Sequence, residues 1–208
     1  MELVKNNSAL LIVDMQNSFL EPDGAMNKLG FDCEKLRSAI PGTQRLIAAA
    51  RSQSIPVIYT QYVFQPGFID GGWLVNDIMP SLKDVNLCVK NTWDAEIIDI
   101  IQPKFGETIV QKNRPSAFFS TQLESILNSM EIENLVVCGV TANMCVETTV
   151  RDSCQRDIRT FVVSDAIAEV DDDRMKLAIM TMEYFFARVM SVNEVIDSWG
   201  ADLKNAVQ

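Results

Sequence analysis

Histidine is absent from the chain, and that absence excludes several kinds of chemistry. Without an imidazole there is no Ser-His-Asp or Cys-His catalysis, no histidine-ligated zinc and no ordinary neutral-pH proton shuttle. Any nucleophile must recruit a carboxylate or a lysine instead. Positive charge is also scarce. The 18 Lys and Arg stand against 28 Asp and Glu, a net charge of −10, so phosphate backbones and anionic membranes are disfavoured partners. No apolar run approaches membrane-spanning length, and Met1-Glu-Leu-Val-Lys-Asn-Asn7 lacks a basic stretch leading into an apolar one. The five cysteines show no Cys-x-x-Cys spacing, which suits free thiols in a reducing compartment. These features predict a soluble cytoplasmic protein with no nucleic-acid or membrane partner.

With 208 residues and 48% hydrophobic content, the chain is predicted to form a single domain over residues 1–208, with a substantial core. Residues 9–13 are an apolar run leading into Asp14, and such a run implies a strand covered on both faces, as in a parallel sheet. Residues 34–54 read as helix with an irregularity at Pro41-Gly42, and residues 55–61 as a second strand. Further strands are predicted at 108–112, 135–139, 160–165 and 188–192. Helices are predicted at 93–101, at 121–130 with a Thr121/Glu124 capping box, at 171–185 and at 193–199. The alternation gives an α/β/α three-layer fold, a doubly wound, mainly parallel sheet of about six strands. Residues 62–90 are irregular, as lids and binding loops often are.

Val136-Val-Cys-Gly-Val-Thr-Ala-Asn-Met-Cys145 passes from a buried strand through a short turn into a helical pattern. Cysteines are by default small core hydrophobes, and Cys138, mid-strand, fits that role. Cys145 lies instead past a strand's carboxyl end, where open α/β sheets place ligands. A helix N-terminus there is expected to favour the thiolate. If the strands are parallel, Asp14, Lys112 and Cys145 share one sheet edge. Each residue alone has an ordinary reading: an aspartate holding a loop, a lysine reaching solvent, a buried thiol. Together they are the base, cation and nucleophile that a histidine-free cysteine hydrolase needs.

Leu11-Ile-Val-Asp-Met-Gln-Asn-Ser-Phe19, Gln111-Lys112 with Arg114-Pro-Ser-Ala-Phe-Phe119, and Gly139-Val-Thr-Ala-Asn-Met-Cys-Val-Glu-Thr-Thr-Val-Arg-Asp152 resemble, in order, the three signature regions of the isochorismatase-like cysteine hydrolases. The resemblance implies Asp14 as general acid/base, Lys112 as its partner and Cys145 as nucleophile, passing through a thioester. It also implies a cis peptide at Val140–Thr141, an oxyanion hole from the backbone N–H groups of Thr141 and Cys145, no cofactor, and a homo-oligomer. Nicotinamidases of this superfamily carry a metal site built partly from histidines. This chain has Tyr59-Thr-Gln-Tyr62 in that region, so no metal is expected. Asn91-Thr-Trp-Asp-Ala-Glu96, Phe118-Phe119 and Cys145-Val-Glu-Thr-Thr149 are most similar to the ureidoacrylate amidohydrolase and biuret hydrolase branch.

For a small planar ureido, carbamoyl or carboxamide substrate, Phe19, Trp73, Trp93 and Phe118 are candidate walls and Asn17 and Gln61 candidate polar contacts, with packing the ordinary alternative for each. Arg114 is a candidate partner for a substrate carboxylate. Two other readings keep the fold: a vinyl ether hydrolase of isochorismatase type, which does not require the thiol, and a non-catalytic thiol-sensing or interaction protein.

Overall fold

The computed structural model describes residues 2–201, so residues 1 and 202–208 of the predicted domain lie outside the described residues. Six strands, β1 (Ser8–Val13), β2 (Val57–Tyr62), β3 (Thr108–Lys112), β4 (Asn134–Val140), β5 (Arg159–Ala168) and β6 (Arg188–Met190), form one sheet in the order β3-β2-β1-β4-β5-β6. Every neighbouring pair is parallel. β1 and β4 are central and wholly buried, which explains why they are apolar after their first residues, Ser8 and Asn134.

The helices are α1 (Asn17–Leu20), α2 (Ala25–Lys28), α3 (Cys33–Arg37), α4 (Ile40–Ser52), α5 (Leu123–Ser129), α6 (Glu147–Cys154), α7 (Asp172–Thr181) and α8 (Val192–Trp199). The chain runs β1 to β2 in one direction along the sheet and β4 to β5 in the other, so right-handed crossovers put α4 and α6 on opposite faces. α8 packs beside α4, and Arg156, just past α6, reaches Glu124 of α5 at 2.8 Å on the other face. The strand order reverses between β1 and β4. In such sheets the crevice for ligands opens at the carboxyl ends of the strands flanking that reversal.

Three local expectations are corrected. Residues 93–101 are not one helix. Two short 3₁₀ turns, Trp93–Ala95 and Asp99–Ile101, flank a bridge between Gln16 and Ile97. Tertiary hydrogen bonds override helical propensity there: Gln16 donates to the carbonyls of Ala95 (2.8 Å) and Tyr62 (2.9 Å), and Asp94 accepts from the N–H groups of Ala25 (2.8 Å) and Cys88 (2.7 Å). The Thr121/Glu124 capping box is absent, because α5 begins at Leu123 and Glu124 pairs with Arg156 instead. A capping box does form at Ser191/Glu194 before α8, where the sequence offers the same Ser-x-x-Glu signal. The helix expected at 34–54 is broken into α3 and α4, with Pro41 in the first turn of the second, where a missing N–H costs nothing.

Candidate active site

The register sets Val13 beside Gly139 and Tyr62 beside Lys112, so the carboxyl ends of β1, β2, β3 and β4 form one edge. Asp14 is the first residue beyond β1 and adopts a left-handed backbone, φ 49°. A non-glycine residue held there signals a local constraint. Its own N–H donates to Thr60 Oγ1 (3.0 Å), and the Thr60 hydroxyl donates back to Asp14 Oδ1 (2.5 Å). Asp14 Oδ2 accepts from Lys112 Nζ at 2.6 Å, both side chains being 0% exposed.

β3 is two strands away from β1, about 10 Å at normal strand spacing, so the lysine must span β2 to make this bond. It does so against the Tyr62 ring, with Nζ 4.4 Å from the ring centroid, and donates also to the Arg114 carbonyl at 3.2 Å. Burial by itself pushes the lysine pKa down, but the Asp14 carboxylate and the Cys145 sulfur outweigh it, and the net direction is up. Lys112 is therefore held as an ammonium.

Gly139 has φ 115°, and a Cβ added to it would lie 2.1 Å from the Val13 carbonyl oxygen. Only glycine lets β4 approach β1 this closely. β4 ends at Val140, the Val140–Thr141 peptide is cis, and residues Ala142–Val146 form a wide turn before α6. In it the Val146 N–H bonds to the Thr141 carbonyl five residues back (3.2 Å), and the Asn143 N–H bonds to Glu169 Oε2 (3.1 Å).

Cys145 sits in this turn rather than in the first turn of α6, and is 7% exposed. Its thiol lies close enough to Asp14 and Lys112 for both to bear on its ionisation. Burial pushes the thiol pKa up, Lys112 pulls it down, and Asp14 pushes it up again, for a net rise. The expectation of a thiolate favoured by a helix N-terminus is thus reversed. Desolvation is the largest cause, and the adjacent ion pair contributes two opposing charges.

The other candidates are placed as follows. Phe19 is core. Phe118 is also core, covered by the Arg156 guanidinium 4.8 Å from its centroid. Asn17 spends its amide on the Trp93 carbonyl (2.8 Å), and Gln61 donates to the Ala95 carbonyl (3.0 Å). Trp93 is 48% and Trp73 78% exposed. Arg114 donates through Nη1 to the carbonyls of Asp70 (3.0 Å) and Asn113 (2.6 Å), stapling the irregular 62–90 segment. Asp70 is further held by Asn113 at 2.9 Å. Sequence reasoning missed Thr60, Tyr62 and Glu169, whose relevance depends on strand order and not on any motif. Among the described residues no group of three or more Cys, Asp or Glu side chains could hold a metal.

A parallel sheet with a buried acid, lysine and thiol at its reversal point defines a class of α/β protein built for chemistry at that edge. The isochorismatase domain pattern matches residues 8–194, and the chain belongs to the isochorismatase family. It is 33% identical over 197 residues to ureidoacrylate amidohydrolase RutB of Yersinia enterocolitica, an alignment covering 89% of this chain and 86% of that one. Identity to ureidoacrylate amidohydrolase RutB of Pantoea ananatis is 34% over 205 residues, with 93% and 82% covered. A cysteine hydrolase of known structure from Pseudomonas syringae pv. phaseolicola superposes with a TM-score of 0.88 at 28% identity, covering 96% of this chain and 95% of the other.

Proposed function

We propose that the protein is a cofactor-independent amidohydrolase that cleaves a non-peptide C–N bond of a small ureido, carbamoyl or carboxamide substrate through a thioester on Cys145. The observation that carries this reading is the wholly buried Asp14–Lys112 ion pair at the sheet edge where β4 leads into the Cys145 turn. The names of the RutB relatives support an amide substrate of ureido type.

In the proposed reaction Asp14 takes the thiol proton as sulfur attacks the substrate carbonyl, whose electron pair moves onto oxygen. The backbone N–H groups of Thr141 and Cys145 receive that oxyanion. Collapse of the tetrahedral species expels ammonia or an amine, which leaves with the proton from Asp14. Asp14 then deprotonates a water molecule that attacks the thioester, and the sulfur departs and regains its proton. Lys112 remains an ammonium throughout, orienting the carboxylate and stabilising the transient thiolate. The raised thiol pKa fits this order of events, since it keeps the sulfur neutral until a substrate arrives.

Five free cysteines support placing the enzyme in the reducing cytoplasm, and among the described residues no helix is long and apolar enough to cross a membrane. Self-association belongs to the same proposal: Leu177, Met180, Tyr184 and Phe185 are exposed on and just after α7, and apolar surface of this kind favours burial against another copy.

The test is ammonia release by purified protein from ureidoacrylate, biuret, N-carbamoyl amino acids, nicotinamide and simple carboxamides, with Cys145→Ala as control. Release that vanishes in the variant is expected. No release from any amide, with isochorismate consumed equally by both proteins, would select vinyl ether hydrolysis instead.

A further inference from the structure

We infer that Glu169 is a positioning residue that holds the nucleophile turn in its reactive shape. A buried carboxylate is costly unless its oxygens are satisfied, and Glu169 is 6% exposed. Among the described residues it makes no ion pair. Both oxygens go to backbone N–H groups instead. Oε1 accepts from Val170 (2.9 Å), the next residue, and Oε2 from Asn143 (3.1 Å), 26 residues away in sequence.

Asn143 lies two residues before Cys145, in the opening turn of a helical segment, where N–H groups have no carbonyl partner further back. Such turns are normally fixed by a side chain at the N-cap. Here Thr141 occupies that position and makes no side-chain cap. The acceptor comes instead from the end of β5, the strand paired with β4 in register Gly139–Ile167 and Val140–Ala168. Glu169 thus ties the turn to the sheet from the side opposite β1.

The consequence is geometric. With the Asn143 N–H fixed on Glu169, the turn holds the Cys145 sulfur beside Asp14 and Lys112. Glu169 touches neither substrate nor sulfur in this account; it acts through Asn143. The kinetic arm of the test rests on the amidohydrolase reading, whereas the alkylation arm does not.

Glu169→Gln keeps the side chain's volume, but its amide has one acceptor oxygen for two N–H groups. A displacement of the sulfur by about 1 Å is enough to cost up to about a hundredfold, so the expected result is a fall in kcat of about tenfold or more with KM within about threefold. Iodoacetamide labelling of Cys145, read by peptide mass spectrometry, slows in parallel, while labelling of the partly exposed Cys154 is unchanged. Glu169→Asp, which keeps the charge but withdraws it by one methylene, gives the same pattern and serves if the glutamine variant does not fold. A folded variant with kcat and Cys145 labelling both unchanged, and only the melting temperature lowered, would reduce Glu169 to a structural residue and overturn the inference. If the parent enzyme releases ammonia from no amide, the functional reading fails while the labelling ratio still decides the role of Glu169.

Discussion

Removing the charge of Lys112 while keeping its bulk, as in Lys112→Met, tests the buried pair most severely. The two side chains have no solvent contact and meet at 2.6 Å. Deleting one partner of such a pair strands the other in a medium that solvates it poorly, a loss of about 3–5 kcal/mol. Against a total stability of about 5–15 kcal/mol for a folded domain, that is about a fifth or more of what holds the protein together. For a chain of this size each kcal/mol moves the melting temperature by about 2–4 °C, so a drop on the order of 10 °C is expected. The Thr60 hydroxyl still serves one oxygen of Asp14, which keeps the loss towards the lower end of that range. The companion variant Asp14→Leu with Lys112→Met removes both charges and is expected to recover about 2 kcal/mol or more relative to the single change, since neighbouring effects of this kind are not additive. Urea denaturation of the two single variants and the double variant measures the coupling. A Lys112→Met protein within about 1 kcal/mol of the parent, or strictly additive variants, would refute the reasoning that these charges depend on one another for their burial.

Three further predictions follow from the same geometry. Gly139→Ala puts a methyl group into the backbone of Val13 at a φ that L-residues rarely adopt; it is expected to destabilise by more than about 3 kcal/mol, measured by thermal unfolding, and an unchanged melting temperature would contradict the close approach. Thr60→Val removes the hydroxyl that donates to Asp14 Oδ1 at 2.5 Å; loss of a charge-assisted hydrogen bond, about 1.5–3 kcal/mol, is expected to lower kcat about tenfold or more in a protein that still folds, as judged by circular dichroism. Alkaline pH should weaken the fold. Burial raises the Cys33 thiol from its ordinary 9.0 to about 11 and the Cys138 thiol to about 12, so above pH 9 the unfolded chain releases protons that the folded chain retains. Stability is then complete below pH 9 and declines as pH rises towards 12, which denaturant titrations at several pH values will show as a falling midpoint.

The central strands were legible because buried parallel strands are written as apolar runs, and the positions of Asp14, Lys112 and Cys145 at or just beyond strand ends were readable without knowledge of strand order. What periodicity does not carry is which side chain meets which across the sheet. Thr60 and Tyr62 sit inside β2 and read as ordinary strand residues; their contacts with Asp14 and Lys112 exist because β2 lies between β1 and β3. Glu169 was silent for a similar reason, since its partner Asn143 is brought near only by the pairing of β4 with β5. The aromatic candidates show a different limit of sequence. Phe19 and Phe118 are buried while Trp73 and Trp93 are exposed, and local sequence does not say which face a loop aromatic takes. At residues 93–101 the apolar spacing suggested a helix, and hydrogen bonds donated by Gln16, distant in sequence, and accepted by Asp94 of the loop itself decided otherwise. The sign of the Cys145 shift was misjudged because a helix terminus is visible in sequence and the depth of burial is not.

The central claim is that Cys145 carries the substrate's acyl group. Its most direct test is an acid-quenched mass spectrum taken during turnover of an active amide or ureide. The account predicts an adduct, equal in mass to the substrate less its leaving amine, on the peptide that contains Cys145, and no adduct in Cys145→Ala. Turnover that continues in Cys145→Ala, with no adduct on the parent enzyme, would contradict it.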